Sequence, residues 1–100
     1  MNEFLITLRP PREGFADNAT EQERAVIGEH FAYLQRALEK GSLVLAGRTQ
    51  EATPVGLVIL RAESEDSARR FADADPAVRA GIFRYDCKPY AVALMEGRSE

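Results

Sequence analysis

Histidine and cysteine occur once each in this chain, as His30 and Cys87, and that scarcity removes several kinds of chemistry at the outset. A single cysteine cannot close an intrachain disulfide, so the fold must rest on its own core, and a reducing cytoplasm is the expected setting. With one imidazole and one thiol, a metal site would have to be built mostly from carboxylates. No HxxxH or CxxC spacing exists, so no metal is expected. An excess of basic charge is missing as well: the formal net charge is −3, with acids and bases interspersed from end to end. That argues against nucleic acid or an anionic membrane as partner, because both require a basic face. Long apolar runs are absent too, and the longest fall far short of the roughly 20 residues of a membrane span. The opening "MNEFLITLRPP" has neither a basic leader nor a small-residue cleavage site, and it reads as a first strand. No Gly-rich phosphate loop, nucleotide fingerprint or G-x-S-x-G elbow appears, so no cofactor is expected.

What remains is ordinary globular material, 45% hydrophobic and 29% charged over 100 residues, which predicts one domain spanning 1–100. Residues 2–9 alternate, with Phe4, Ile6 and Leu8 on one face, as a strand requires. "PPREGFADNA" reads as a loop by its Pro, Gly, Asp and Asn content. "TEQE" is a capping box at Thr20 and Glu23, and it opens a helix that Gly41 stops. On the helix's inner side the spacing places Ile27, His30, Phe31, Leu34, Ala37 and Leu38. "SLVLAGRTQ" and "VGLVILRA" are two further strands around a turn at Thr53 and Pro54. Ser64 caps a second helix with Ala68, Phe71 and Ala72 inside. "DPAVRAG" predicts a short extra turn, with Asp75 as N-cap and Pro76 at the first helical position. "IFRYDCKPYAVALME" closes the chain as a fourth strand, in which Pro89 implies an edge position or a bulge.

The order is βαββαβ, the ferredoxin-like arrangement: an α+β fold with a four-stranded antiparallel sheet and helices on one face. The uncovered face should then be polar, yet the third strand offers Val55, Leu57 and Ile59 to one side and Val58 and Leu60 to the other. The last strand sets Tyr90, Val92 and Leu94 against Ala91 and Ala93. Two apolar faces and one helical layer predict cover by a second copy, a homodimer whose sheets form a barrel-like core.

For chemistry, His30 has two readings. It is a core histidine bonded to a loop carbonyl, or it lines a small-molecule pocket and moves protons near neutral pH. Asp75 is the best candidate to fix its tautomer, with Asp73 and Asp86 as competitors; capping alone also accounts for Asp75. Arg9, Arg48 and Arg84 lie on strands from which they could reach a pocket and take an anionic or phenolate substrate, or else they are surface residues. Cys87 has no activating neighbour in sequence and reads as a small apolar filler.

The stretches "HFAYLQRALEKGSLVLAG", "GLVILRAESEDSARRF" and "DADPAVRAGIF", with the late Lys88-Pro89, together resemble the YCII-related (YciI-like) family from the first strand to Pro89. The resemblance implies a dimeric ferredoxin-like α+β barrel with His30 and Asp75 as the active-site pair. Its implied chemistry is lyase- or isomerase-like acid/base work, since one member group dehydrochlorinates chlorinated hydroquinones. The fold is similar to muconolactone isomerases and small antibiotic-biosynthesis-type monooxygenases. The alternative is a non-catalytic small-molecule-binding or accessory homodimer. Two departures from the family pattern stand out: Arg48 where Pro often follows the glycine, and Ala77 where Phe often follows Asp-Pro. They imply a charge at, and a widening of, the pocket.

Overall fold

Alternation along Asn2–Arg9 (β1) sends Phe4, Ile6 and Leu8 to one face, where they are at most 4% exposed. This computed structural model describes residues 2–97. After β1 come a single helical turn at Phe15–Asn18 (α1), the long helix Glu21–Lys40 (α2) and the strands Leu43–Arg48 (β2) and Gly56–Ala62 (β3). Helix Glu65–Asp73 (α3), a second helical turn at Pro76–Arg79 (α4) and strand Arg84–Tyr90 (β4) complete the order. The antiparallel sheet runs β2-β3-β1-β4. Phe4, Ile6 and Leu8 of β1, Val58 and Leu60 of β3, and Cys87 of β4 pack with Leu34 and Ala37 of α2 and Ala68 and Ala72 of α3. Both helices therefore cover the same face, and the fold is the ferredoxin-like α+β sheet that the pattern predicts.

Local signals set the helix ends. Thr20 accepts from the Glu23 amide at 3.0 Å while the Glu23 carboxylate accepts from the Thr20 amide at 2.8 Å, closing the capping box. Gly41 ends α2 at φ 86°, a left-handed conformation that favours glycine. Ser64 caps α3, and Asp75 caps α4 ahead of Pro76.

Arg12 grips Glu23 with both terminal nitrogens, at 2.9 and 2.7 Å. The Arg12 bonds, aided by the Thr20 amide, hold the Glu23 carboxyl down from 4.5 to about 2. A depressed carboxylate stabilises the fold above its unfolded pKa, and that contribution is lost as pH falls through the folded value. Urea midpoints of wild type and Glu23→Gln should therefore differ above pH 4.5 and converge as pH drops toward 2. A difference that stays constant across that window would show that the bridge does not stabilise the fold.

Four sequence expectations need correction. "PPREGFADNA" is not all loop: Phe15, 6% exposed, anchors α1, whose Ala16 amide donates to the Ala52 carbonyl at 3.1 Å. A buried aromatic outweighs the local turn composition. β4 ends at Tyr90, not in the following alanines and valine, because Tyr90 pairs Glu3 and β1 then runs out. Pro89, which has no N–H, does sit on an edge strand. Phe31 and Leu38 are 65% and 56% exposed, so the inner stripe of α2 runs instead through His30, Tyr33, Leu34 and Ala37. One position along a helix is about 100° of rotation, enough to move Phe31 off the buried face. Finally, the uncovered sheet face is apolar on one half only. By register Leu5, Leu45, Leu57 and Ile59 cluster there, whereas β4 presents Arg84, Asp86, Lys88 and Tyr90.

Candidate active site

His30 lies midway along α2 on the buried side, and its Nδ1 faces the Asp75 carboxylate at 2.7 Å to Oδ2 and 2.9 Å to Oδ1. The pair is separated by 45 residues in sequence and joined by the packing of α4 against α2. Their side chains are 13% and 4% exposed. Asp75 is held by its own cap, with Oδ1 accepting the Ala77 amide at 2.9 Å. One carboxylate thus serves the helix start and the imidazole together, the compatibility that the Asp-Pro spacing allows.

A carboxylate only accepts, so Nδ1 carries the proton of this bond, and in the neutral imidazole Nε2 then holds the lone pair. Among the described residues no hydrogen bond reaches Nε2, and no buried side-chain nitrogen or oxygen is left unpaired. Nε2 is therefore the solvent-accessible nitrogen of a half-buried ring. A fixed tautomer with an open acceptor is the arrangement a general base requires.

Two aromatic rings that sequence reasoning passed over complete the surroundings. Phe83 packs edge-to-face on His30 with centroids 5.3 Å apart at 85°, and Phe15 packs on Phe83 at 6.2 Å and 72°. Phe83 follows the "DPAVRAGI" turn, where the sequence pattern reads only the start of a strand. No local signal marks a ring-to-ring contact made across the fold. Tyr33, also unremarked, donates to the Phe71 carbonyl at 2.7 Å; burial and the nearby Asp75 charge push its hydroxyl pKa up, so it stays protonated.

The other candidates go elsewhere. Asp73 accepts from the Tyr85 hydroxyl at 2.8 Å, and Asp86 from the Cys87 amide at 3.1 Å. Cys87 is 2% exposed in the core, and burial raises its thiol pKa, as an apolar filler should show. Arg9, Arg48 and Arg84 are exposed at the ends of β1, β2 and β4. Among the described residues none of the three side chains makes a hydrogen bond or ion pair, so nothing ties Arg9 or Arg48 to the His30–Asp75 pair. They do share the pair's end of the sheet: Arg9 pairs Arg84 in register, directly after Phe83. Ala77 is fully buried, so its methyl lines no open cleft and the expected widening is not found there.

Fold and pair together define a ferredoxin-like α+β domain with a helix-borne imidazole oriented by a buried carboxylate. The sequence matches the YCII-related domain over residues 4–90, and the chain belongs to that family. Among solved structures, it is similar to the 5-chloro-2-hydroxyhydroquinone dehydrochlorinase of Burkholderia phenoliruptrix AC1100 in complex with 2,5-dihydroxybenzoquinone. That likeness has 22% identity and a TM-score of 0.65 and covers 88% of this chain and 93% of the other. SnoaB, a cofactor-independent oxygenase from Streptomyces nogalater, is similar in an alanine-substituted variant at 13% identity and TM-score 0.57, over 98% of this chain and all of that one. At these identities the likeness establishes the fold. No curated protein matches the sequence significantly. None of the described helices is long and apolar enough to cross a membrane.

Proposed function

We propose that this protein is a cofactor-independent enzyme that moves a proton on a small hydroxylated aromatic or otherwise oxygenated molecule, as a lyase or isomerase does. His30 Nε2 takes the proton and returns it, and Asp75 holds Nδ1–H. The observation that carries this reading is the Asp75 carboxylate, almost wholly buried, with both oxygens within 2.9 Å of Nδ1. Deprotonating one ring hydroxyl lets a proton move to the adjacent ring carbon. Where that carbon bears chlorine, deprotonating a second hydroxyl then expels chloride with its electron pair and leaves the quinone, so that HCl is lost overall. The two structural relatives are named for small-molecule chemistry of this kind, a dehydrochlorination and a cofactor-independent oxygenation. Arg9 and Arg48, unpaired at the same end of the sheet, are the cations we assign to a phenolate or carboxylate of the substrate. The working unit in this proposal is a homodimer that covers the Leu45 and Leu57 face, in a reducing cytoplasm where the lone Cys87 stays a thiol.

The tautomer is directly testable because the chain has a single histidine and every imidazole signal belongs to it. In wild type, ¹⁵N spectra should show neutral His30 protonated at Nδ1. Asp75→Asn should reverse this. The Ala77 amide claims the side-chain oxygen at Oδ1, so the new NH₂ takes the Oδ2 place and points a donor at Nδ1, moving the ring proton to Nε2. The function is tested by turnover of 5-chloro-2-hydroxyhydroquinone and unchlorinated hydroxyhydroquinones, followed by chloride release and ring absorbance. Turnover abolished in His30→Ala supports an enzyme. Saturable binding of these compounds without turnover would replace it with the binding-protein reading.

A further inference from the structure

We infer that Phe83 is a positioning residue for His30: its ring sets the plane of the imidazole and thereby aims Nε2. The inference deepens the acid/base reading and rests on it for its kinetic consequence, but its structural content stands independently. Asp75 restrains His30 only at Nδ1, through both carboxylate oxygens, so with the covalent link to α2 one edge of the ring is held while the Nε2 edge can still tilt. A second restraint is needed to fix direction, and the Phe83 ring at 5.3 Å and 85° supplies it through its preferred edge-to-face arrangement.

The same short segment delivers both restraints. The Ala77 amide donates to Asp75 Oδ1, while the Ala77 carbonyl accepts from the amides of Ile82 at 2.9 Å and Phe83 at 3.1 Å. The residue that fixes the carboxylate therefore also fixes the start of β4 and the ring that follows from it. Gly81, at φ 77°, reverses the chain between them, a conformation that L side chains rarely adopt. Phe15 packs edge-to-face with Phe83 in turn, and α1 is tied to the β2–β3 connection through Ala16–Ala52 at 3.1 Å and Gly14–Thr53 Oγ1 at 2.8 Å. The imidazole is clamped between a carboxylate and a buttressed aromatic wall, both hung from Ala77.

The test compares Phe83→Leu, Phe83→Tyr and a matched control, Phe71→Leu, which removes the ring partner of Tyr33 and lies outside the His30–Phe83–Phe15 ring contacts. In Phe83→Leu the His30 Nδ1–H tautomer should persist, because Asp75 is unchanged. Its ring-carbon signals should broaden, and the Nδ1 proton should exchange with solvent at least about tenfold faster once the ring swings. Where turnover is measurable, kcat should fall about 10-fold to 100-fold with KM changed far less, the signature of misaligned rather than missing contacts. Phe83→Tyr should restore the wild-type values, and Phe71→Leu should leave the His30 signals unmoved whatever it does to stability. Unchanged His30 exchange and line shape in folded Phe83→Leu, or equal broadening in Phe71→Leu, would overturn the assignment. Should Phe83→Leu not fold, Phe83→Met takes its place: broadening where Phe83→Tyr and the control are sharp supports the assignment, and sharp signals in Phe83→Met overturn it. Full activity in His30→Ala, by contrast, would refute the acid/base reading and leave the spectroscopic result for Phe83 standing.

Discussion

On the proposed acid/base role, His30→Ala should lower turnover by about 10²- to 10⁴-fold, the usual contribution of a positioned acid/base group. The substitution also strips the buried Asp75 carboxylate of one partner, leaving the Ala77 amide, at an expected cost of about 1–3 kcal/mol in stability. Loss of activity must therefore be separated from loss of fold, and His30→Gln does so. Its amide can still donate toward Asp75 but cannot take a proton, so it should be nearly as inactive as alanine while recovering part of the stability. Asp75→Asn should match the histidine variants in kcat for a different reason, because it leaves the imidazole in place with its proton on the wrong nitrogen. The double variant His30→Ala with Asp75→Asn should be no slower than His30→Ala alone, since residues that act as a unit are not additive. Multiplying losses in that variant would mean the two act separately, and a His30→Ala protein with wild-type kcat would remove the imidazole from the chemistry.

Sequence reasoning could nominate the members of that pair but could not join them. Thr20, Ser64, Gly41 and the Asp75-Pro76 step announce themselves because capping and chain reversal are decided within a few residues. The alternation of Phe4, Ile6 and Leu8 likewise needs only the chain's own period, and from such signals the βαββαβ order follows. His30 and Asp75 became candidates by scarcity and by cap geometry, while their 2.7 Å contact depends on how α4 docks against α2. Phe15 and Phe83 were invisible because two rings meeting edge-on have no fixed spacing in sequence. Phe31 was misplaced for the opposite reason. It carries a strong apolar signal one residue from His30, and only the packed helix decides which of two neighbours turns inward. The end of β4 was set by its partner β1, information that the segment "YAVALME" does not contain.

The same register correction sharpens what a second subunit would cover in the proposed homodimer. On the face without helices, Leu45 is 56% and Leu57 37% exposed, with Leu5 and Ile59 beside them by register. Leu57→Glu should therefore convert the protein from a species of twice its 11.1 kDa chain mass to the single chain in sedimentation at micromolar concentration. Burying a leucine completely is worth about 1.5–3 kcal/mol, and Leu57, 37% exposed in the single chain, has about a third of that to gain. A two-fold interface loses the contribution of both copies, about 1–2 kcal/mol in all, which raises the dissociation constant by about 5- to 40-fold. A carboxylate brought into that contact from each side adds its desolvation on top. Because Leu57 is already open to solvent in the single chain, its replacement should leave the circular dichroism spectrum and the His30 tautomer intact. The charged half of the face provides the control: Lys88→Glu, on β4 and opposite Leu5 in register, removes no apolar contact and should shift the dimer far less. A wild-type protein that sediments only as the single chain would show that the leucine cluster stays uncovered. A Leu57→Glu protein that keeps the doubled mass would place the subunit contact elsewhere, for which the exposed Phe31 and Leu38 on α2 and Leu94 and Met95 after β4 offer further apolar surface.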